Sequence, residues 1–433
     1  MSGIQSLRAR RVWDSRGNPT VEVDVTLDDG SFGRAIAPAG ASRGTREATD
    51  LRDGGTGLRG KGGARAIQNV EALVAPAILG MDATDQVAVD AAMLALDPSP
   101  DKAKLGGNGT VATSLAVLHA AARHKGVPLW QHVADISGRT PSLPLPEIQI
   151  FGGGAHAGRR VDIQDFMIMV PGASSFDEVM EITNEVYFAA GDIMASRGAL
   201  SGVADEGGWW PNFRSNEEAL ETLVAAIEKA GEKPGDRVVI SLDIAASEFG
   251  TDGRYRLALD DKEMDSTALI ELLGGWLDGY PIVSIEDPLG EDDRAGMIEF
   301  THRFGDRVQI IGDDYLVTNA DLVVAGAEDG ACNSVLIKVN QAGTVSEALA
   351  AYDAARAANW TSVVSARSGE TEDTSISHLS VGLGSEQLKV GSFQRSERMV
   401  KWNECLRIQD ALGKDSFAGG SALAATWWGQ RQT

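Results

Sequence analysis

Residues 282–287 read "IVSIED": a short, mostly β-branched run that stops on two acids, Glu286 and Asp287. The same shape recurs through the second half of the chain. "RVVISLD" ends at Asp243, "VQIIGDD" reaches Asp313, "SVLIK" ends at Lys338, "TSVVS" ends at Ser365 and "QLKVG" holds Lys389. Counting from Asp243, these positions lie 43, 27, 25, 27 and 24 residues apart. Helical patterns fill the gaps, as in "NADLVVAGAEDG" and "TVSEALAAYDAARAANW". One strand and one returning helix occupy about 25 residues in a closed barrel of parallel strands. Runs that are apolar throughout suit strands buried on both faces. The second half therefore reads as a modified (β/α)8 barrel. Functional groups in such barrels sit at the C-terminal ends of the strands.

The first part has a different rhythm. "TVEVDVTLDDGSFGRAIAP" at 20–38 alternates around Asp-Asp-Gly and predicts a hairpin. "ARAIQNVEALVAPAIL" and "TVATSLAVLHAAARHKG" follow with helical spacing. Strands followed by helices imply a small α+β domain. The Pro-rich "TPSLPLPEI" at 140–148 is the best connector, which places a capping domain at 1–138 and the barrel at 139–433. The fold class is α/β.

Composition excludes several functions. The chain has 433 residues and is 43% hydrophobic, enough for two domains with full cores. Its 39 Lys and Arg face 62 Asp and Glu, a formal charge of −23 that repels nucleic acid and anionic lipid. Cys332 and Cys405 form no CxxC pair, so a reducing cytoplasm is expected. The N-terminal stretch has no apolar signal-peptide core, and no apolar run is long enough to span a membrane.

At the predicted barrel mouth, Asp243, Glu286 and Asp313 would repel one another unless a cation lay between them. An all-oxygen set suits Mg²⁺ rather than Zn²⁺. Lys338 and Lys389 would face the same mouth. A cation beside a lysine lowers its proton affinity, which would let Lys338 act as a base. Proton removal next to a carboxylate creates extra negative charge, which the cation and the second lysine would stabilise.

Eleven stretches, in order, make the chain similar to the enolase family over nearly its whole length. They are "DSRGNPTVEVDV", "GASRG", "LRDG", "GKGGARAIQNV", "HAG", "ADEGG", "SLDIAASEF", "YPIVSIEDP", "LIKVNQAGT", "RSGETEDT" and "RSERMVKWNE". A lysine base working with one or two Mg²⁺ is the design known for that superfamily. The resemblance implies Mg²⁺-dependent removal of water from 2-phosphoglycerate, usually in a homodimer. By position, Asp243, Glu286 and Asp313 match the ligands of the tighter Mg²⁺. Glu286 and Asp313 thereby also border the substrate. Ser42 matches the loop serine that binds a second Mg²⁺ with substrate. Lys338 matches the base, Glu206 the acid that helps the hydroxyl leave, and Lys389 the holder of the substrate carboxylate. Arg367 and Ser368 match the phosphate holders, and His156 and Gln164 line the pocket.

The departures fall at the same site. Ala366 stands where the family has a histidine, and Asp165 where it has a glutamate working beside Glu206. Arg43 follows the metal-binding serine in place of threonine. Gly152 replaces an asparagine, Trp209 and Trp210 replace smaller residues, and Arg159 and Arg160 extend the histidine loop. More room and more positive charge suit a larger or more anionic substrate. This pattern resembles the carboxyphosphonoenolpyruvate synthases of phosphonate-antibiotic pathways. The expected activity is elimination of water from a 2-phosphoglycerate analogue. The alternatives are an ordinary glycolytic enolase and a non-catalytic binding protein on the same fold.

Overall fold

The structure is a computed structural model that describes residues 2–432. Three antiparallel strands, β1 (Ile4–Trp13), β2 (Pro19–Leu27) and β3 (Phe32–Ile36), form the first sheet in that order. The predicted hairpin is β2–β3, and its turn uses Gly30 at φ +86°, where a side chain would be strained. β1 has no clear alternation, and its arginines at 8, 10 and 11 fall on both faces of the strand. Arg10 pairs across the sheet with Glu22 and Asp24.

Both expected helices are present. The first runs from Ala64 to Ile78, with a wider π turn at Val70–Val74 just before Pro76, which brings no N–H to the ladder. The second, Gly107–Lys125, is Ala- and Val-rich, is buried over most of its length and packs on the sheet. Gly33 of β3 permits the contact. A Cβ there would lie 2.0 Å from the Ala116 carbonyl and 2.5 Å from the Ala120 nitrogen. The same helix meets the barrel. Its Ser114 hydroxyl accepts from the Val345 N–H, and Asp90 joins Ser114 to Ser346.

Eight further strands close into a barrel in chain order: β4 (Leu145–Gly152), β5 (Asp165–Met169), β6 (Val239–Asp243), β7 (Ile282–Glu286), β8 (Gln309–Gly312), β9 (Ser334–Ile337), β10 (Thr361–Ser365) and β11 (Gln387–Gly391). Pairing of β11 with β4 closes the ring. The long step between Asp243 and Glu286 holds a small three-stranded sheet and the helix Ser266–Gly279.

One expectation needs correcting: the barrel is not wholly parallel. β5 runs antiparallel to both β4 and β6. The β4–β5 connection holds only a short 3₁₀ turn, Gly154–Ala157, and a parallel return needs a longer crossover. The reversal puts the start of β5 at the mouth, with Asp165 beside Gly152 on one strand and Asp243 on the other. Among the described residues, no helix is long and apolar enough to cross a membrane.

Two glycines should respond oppositely to alanine. Gly33→Ala should lower stability by about 1–3 kcal/mol through overpacking. Gly275, exposed in the helix Ser266–Gly279 with nothing near its Cβ position, should gain up to about 1 kcal/mol as alanine. Thermal melting of both variants checks the pair.

Candidate active site

The strand ends deliver opposite charges to one buried mouth. The Lys389 ammonium, from β11, lies 2.7 Å from Asp243 and 2.8 Å from Glu286, and 3.5 Å from Asp165. Burial alone would lower the lysine's pKa, but these carboxylates outweigh it and hold the pKa well above the ordinary value. Lys338, just past β9, pairs with Asp313, which also accepts from Gln341 at 2.8 Å. Burial opposes the charge on Lys338 as well, and Asp313 again wins, raising its pKa. Glu286 is pushed well above the usual carboxylate range, first by burial and then by Asp243.

The two acids of "IVSIED" divide their work. Glu286 faces the mouth. Asp287, at φ +41°, accepts the backbone N–H groups of Asp313 and Asp314 at 2.9 and 2.7 Å and so shapes the end of β8. Burial and the nearby Asp313 push Asp287 up to about 8.

A second group forms around His156. Its Nδ1 is 3.4 Å from Asp165 and its Nε2 is 3.7 Å from Glu206. Burial would lower the imidazole's pKa, but Glu206 and then Asp165 raise it to about 9. Asp165 is held at about 2: burial opposes this, and the His156 cation overrides it. Gln149 on β4 ties this group together. It donates to Asp165 and accepts from the Gly208 N–H at 2.9 Å, so it joins β5 to the loop bearing Glu206.

The turn after β10 forms the third wall. Arg367 makes a two-pronged pair with Glu47, both contacts at 3.0 Å, and donates to the Ser42 carbonyl at 3.1 Å. The Ser368 hydroxyl accepts from the Ala41 N–H at 2.6 Å. Buried Arg398 donates to the carbonyls of Arg367 and Val390, which anchors the turn. Gly40 fits closely here, since a Cβ would lie 2.6 Å from the Ser42 carbonyl oxygen and 2.0 Å from the Arg367 guanidinium.

These walls border one small cavity that opens to solvent. Ser42, His156, Gln164, Asp165, Glu206 and Asp243 line it, together with Lys338, Ala366, Arg367, Ser368 and Lys389. Arg43 is not brought there. Its exposed guanidinium faces Glu47 at 3.8 Å and the Ala48 carbonyl at 3.3 Å. Arg159 and Arg160 are likewise engaged outside the cavity, with Glu248 and Asn212. The extra positive charge expected from these three arginines thus goes to protein partners.

The donor set suits a hard cation. Buried Glu286 Oε1, Asp165 Oδ2 and Gln164 Oε1 have no hydrogen-bond partner. Asp243, Glu286 and Asp313 could hold such an ion once the two ammonium groups give way. Two tighter groups, His156/Asp165/Glu206 and Asp287/Asp313/Asp314, have ligand atoms within 4.8 Å of one another. Asp287 in the second is already bound to backbone.

Residues 4–133 match the family described as the enolase N-terminal domain, and residues 140–426 match the enolase C-terminal TIM barrel domain. The chain belongs to the enolase family. Its matched barrel domain contains β4 through β11, and with them the acids and lysines of the mouth. Sequence reasoning passed over Glu47, Gln149 and Gln341. Glu47 and Gln341 lie in or beside motif stretches quoted above, but their partners are distant in the chain. Gln149 carried no signal beyond being polar in an apolar strand.

In the metal-free enolase-family protein, ¹⁵N NMR should find His156 as an imidazolium at neutral pH, titrating near 9. Glu206→Gln should lower that value. The stabilisation that this ring contributes should be complete below its ordinary pKa of about 6.5 and fade as pH rises through about 9. A neutral ring at neutral pH would contradict the arrangement.

Proposed function

We propose that the protein is a Mg²⁺-dependent hydro-lyase that removes a proton next to a carboxylate and expels water from a 2-phosphoglycerate-like substrate. The observation that supports this reading is the gathering of two lysines, three carboxylates, His156 and Arg367 around a single cavity with the small Ala366 in its wall, and the pairing of those lysines with Asp313 and Glu286.

In this reading Asp243, Glu286 and Asp313 hold one Mg²⁺, and Ser42 holds a second when substrate binds. Bound there, the cation supplies positive charge that offsets the carboxylates now keeping Lys338 protonated and stabilises charge building on the substrate carboxylate. Lys338, as the neutral amine, takes the C2 proton. Lys389 orients the substrate carboxylate. Glu206, as the protonated acid, gives its proton to the departing 3-hydroxyl, which leaves as water while the C2–C3 double bond forms. Asp165 and His156 fix the carboxyl of Glu206 and the charge around it. Gln164 borders the substrate.

Arg367 and Ser368 hold the phosphoryl or phosphonyl group. Arg367 must then share or exchange its bond to Glu47, and Arg43 enters only through that same carboxylate. Buried donors that are already oriented make such stabilisation effective.

Ala366 favours a substrate larger than 2-phosphoglycerate, such as the precursor of carboxyphosphonoenolpyruvate. The arginines of the outer loops no longer add to that argument; the small side chain of Ala366 in the cavity wall carries it. Assembly as a homodimer belongs to the same proposal.

With Mg²⁺, the purified protein should turn over 2-phosphoglycerate poorly, as followed by ultraviolet absorbance of the enol product. Ala366→His should raise that rate by about 10-fold or more, up to the ~10²–10⁴-fold that a positioned acid–base group contributes. A wild-type rate matching an ordinary enolase would favour the glycolytic reading. Lys338→Met should cost at least ~10²-fold on whichever substrate is turned over, with Mg²⁺ binding retained in calorimetry. Loss of both would instead mark Lys338 as structural.

A further inference from the structure

β4 directs two polar side chains inward, and the mouth described above uses only Gln149. The other is Glu147. It is fully buried and is paired across the parallel β11–β4 ladder with Lys389 itself. The Ser241 hydroxyl on β6 donates to its Oε1, while Oε2 has no partner. A carboxyl oxygen left unpaired inside a barrel is costly, so its presence calls for a cause. Burial pushes this carboxyl upward, and the Lys389 charge is the largest influence pulling it back.

The cause lies in what Lys389 must do. Its ammonium is shared by Asp243 and Glu286 at 2.7 and 2.8 Å. These are two of the three acids that the proposed function gives to Mg²⁺. If those two acids held a dication, the buried Lys389 ammonium would be left beside added positive charge. Asp165, its remaining contact at 3.5 Å, is already engaged by His156 and Gln149. Glu147, its neighbour in the ladder, is the remaining carboxyl.

We propose that Glu147 is a positioning residue for Lys389: it supplies the counter-charge that lets the ammonium yield Asp243 and Glu286 to a divalent cation, and so helps set the affinity for that cation. This inference rests on the metal reading above. Glu147 touches neither cation nor substrate and acts through the lysine. Ser241 orients it.

The test is calorimetric titration of the metal-free full-length protein with MgCl₂, alongside thermal melting without metal. Glu147→Gln, which keeps the shape and removes the charge, should weaken Mg²⁺ binding by about 10–100-fold, the usual cost of losing an outer partner of a metal site. Its metal-free melting temperature should hold or rise. Glu147→Asp, which keeps the charge, should bind more tightly than Glu147→Gln. Ser241→Ala should weaken binding by less than Glu147→Gln. Wild-type affinity in Glu147→Gln overturns the inference. If Glu147→Gln does not fold, wild-type affinity in Ser241→Ala overturns it instead. A wild-type protein that binds no Mg²⁺ overturns the metal reading and this inference together. Binding by the wild type with no difference among the variants removes this inference alone.

Discussion

The Lys389 ammonium, held among Asp243, Glu286 and Asp165, is the interaction on which the mouth of this barrel depends. Several buried carboxylates cannot remain charged side by side without compensation. Here strand ends from around the ring supply it. Lys389 neutralises one cluster, Lys338 neutralises Asp313, and His156 sits between Asp165 and Glu206. Each cation keeps its charge against burial because the acids face it. The result is a mouth in which each cluster of buried acids faces a cationic side chain.

The capping domain completes this balance. Its loop brings Glu47 to Arg367 and the Ala41 N–H to Ser368, and Ala39 bridges to Gly369 by backbone hydrogen bonds. Arg16 donates to the carbonyls of Ala39 and Gly40, so the loop is held from both sides. An anion entering beside Arg367 must compete with Glu47 for the guanidinium fork. Under the proposed function, substrate capture and the seating of this loop would be linked through this one bidentate pair.

Much of this was legible in the chain. The barrel could be read because its strands are apolar throughout and recur at nearly constant spacing, and because strand ends are where such barrels place chemistry. Asp243, Glu286, Asp313, Lys338 and Lys389 were found that way. Asp165 follows a different logic: it begins a strand, and only the reversal of β5 carries it to the mouth. Arg43 shows the opposite failure. It adjoins a motif serine, yet its side chain turns to Glu47, because a charged group on a loop pairs with the nearest carboxylate. Gln149 and Glu147 were hidden since strand alternation reports only which face a residue takes, not what crosses the barrel to meet it.

Local pattern and spacing determined the two-part architecture, the hairpin, the long buried helix, the strand ends and the types of charge they carry. Those features depend on short-range periodicity, which sequence preserves. The tertiary structure decided the antiparallel course of β5, the pairing of each lysine with particular acids, the Arg367–Glu47 fork and the place of Glu147 beside Lys389. Each depends on side chains far apart in the chain meeting in a dry interior. There the choice of partner follows from distance, burial and charge balance, which only the closed barrel brings into being.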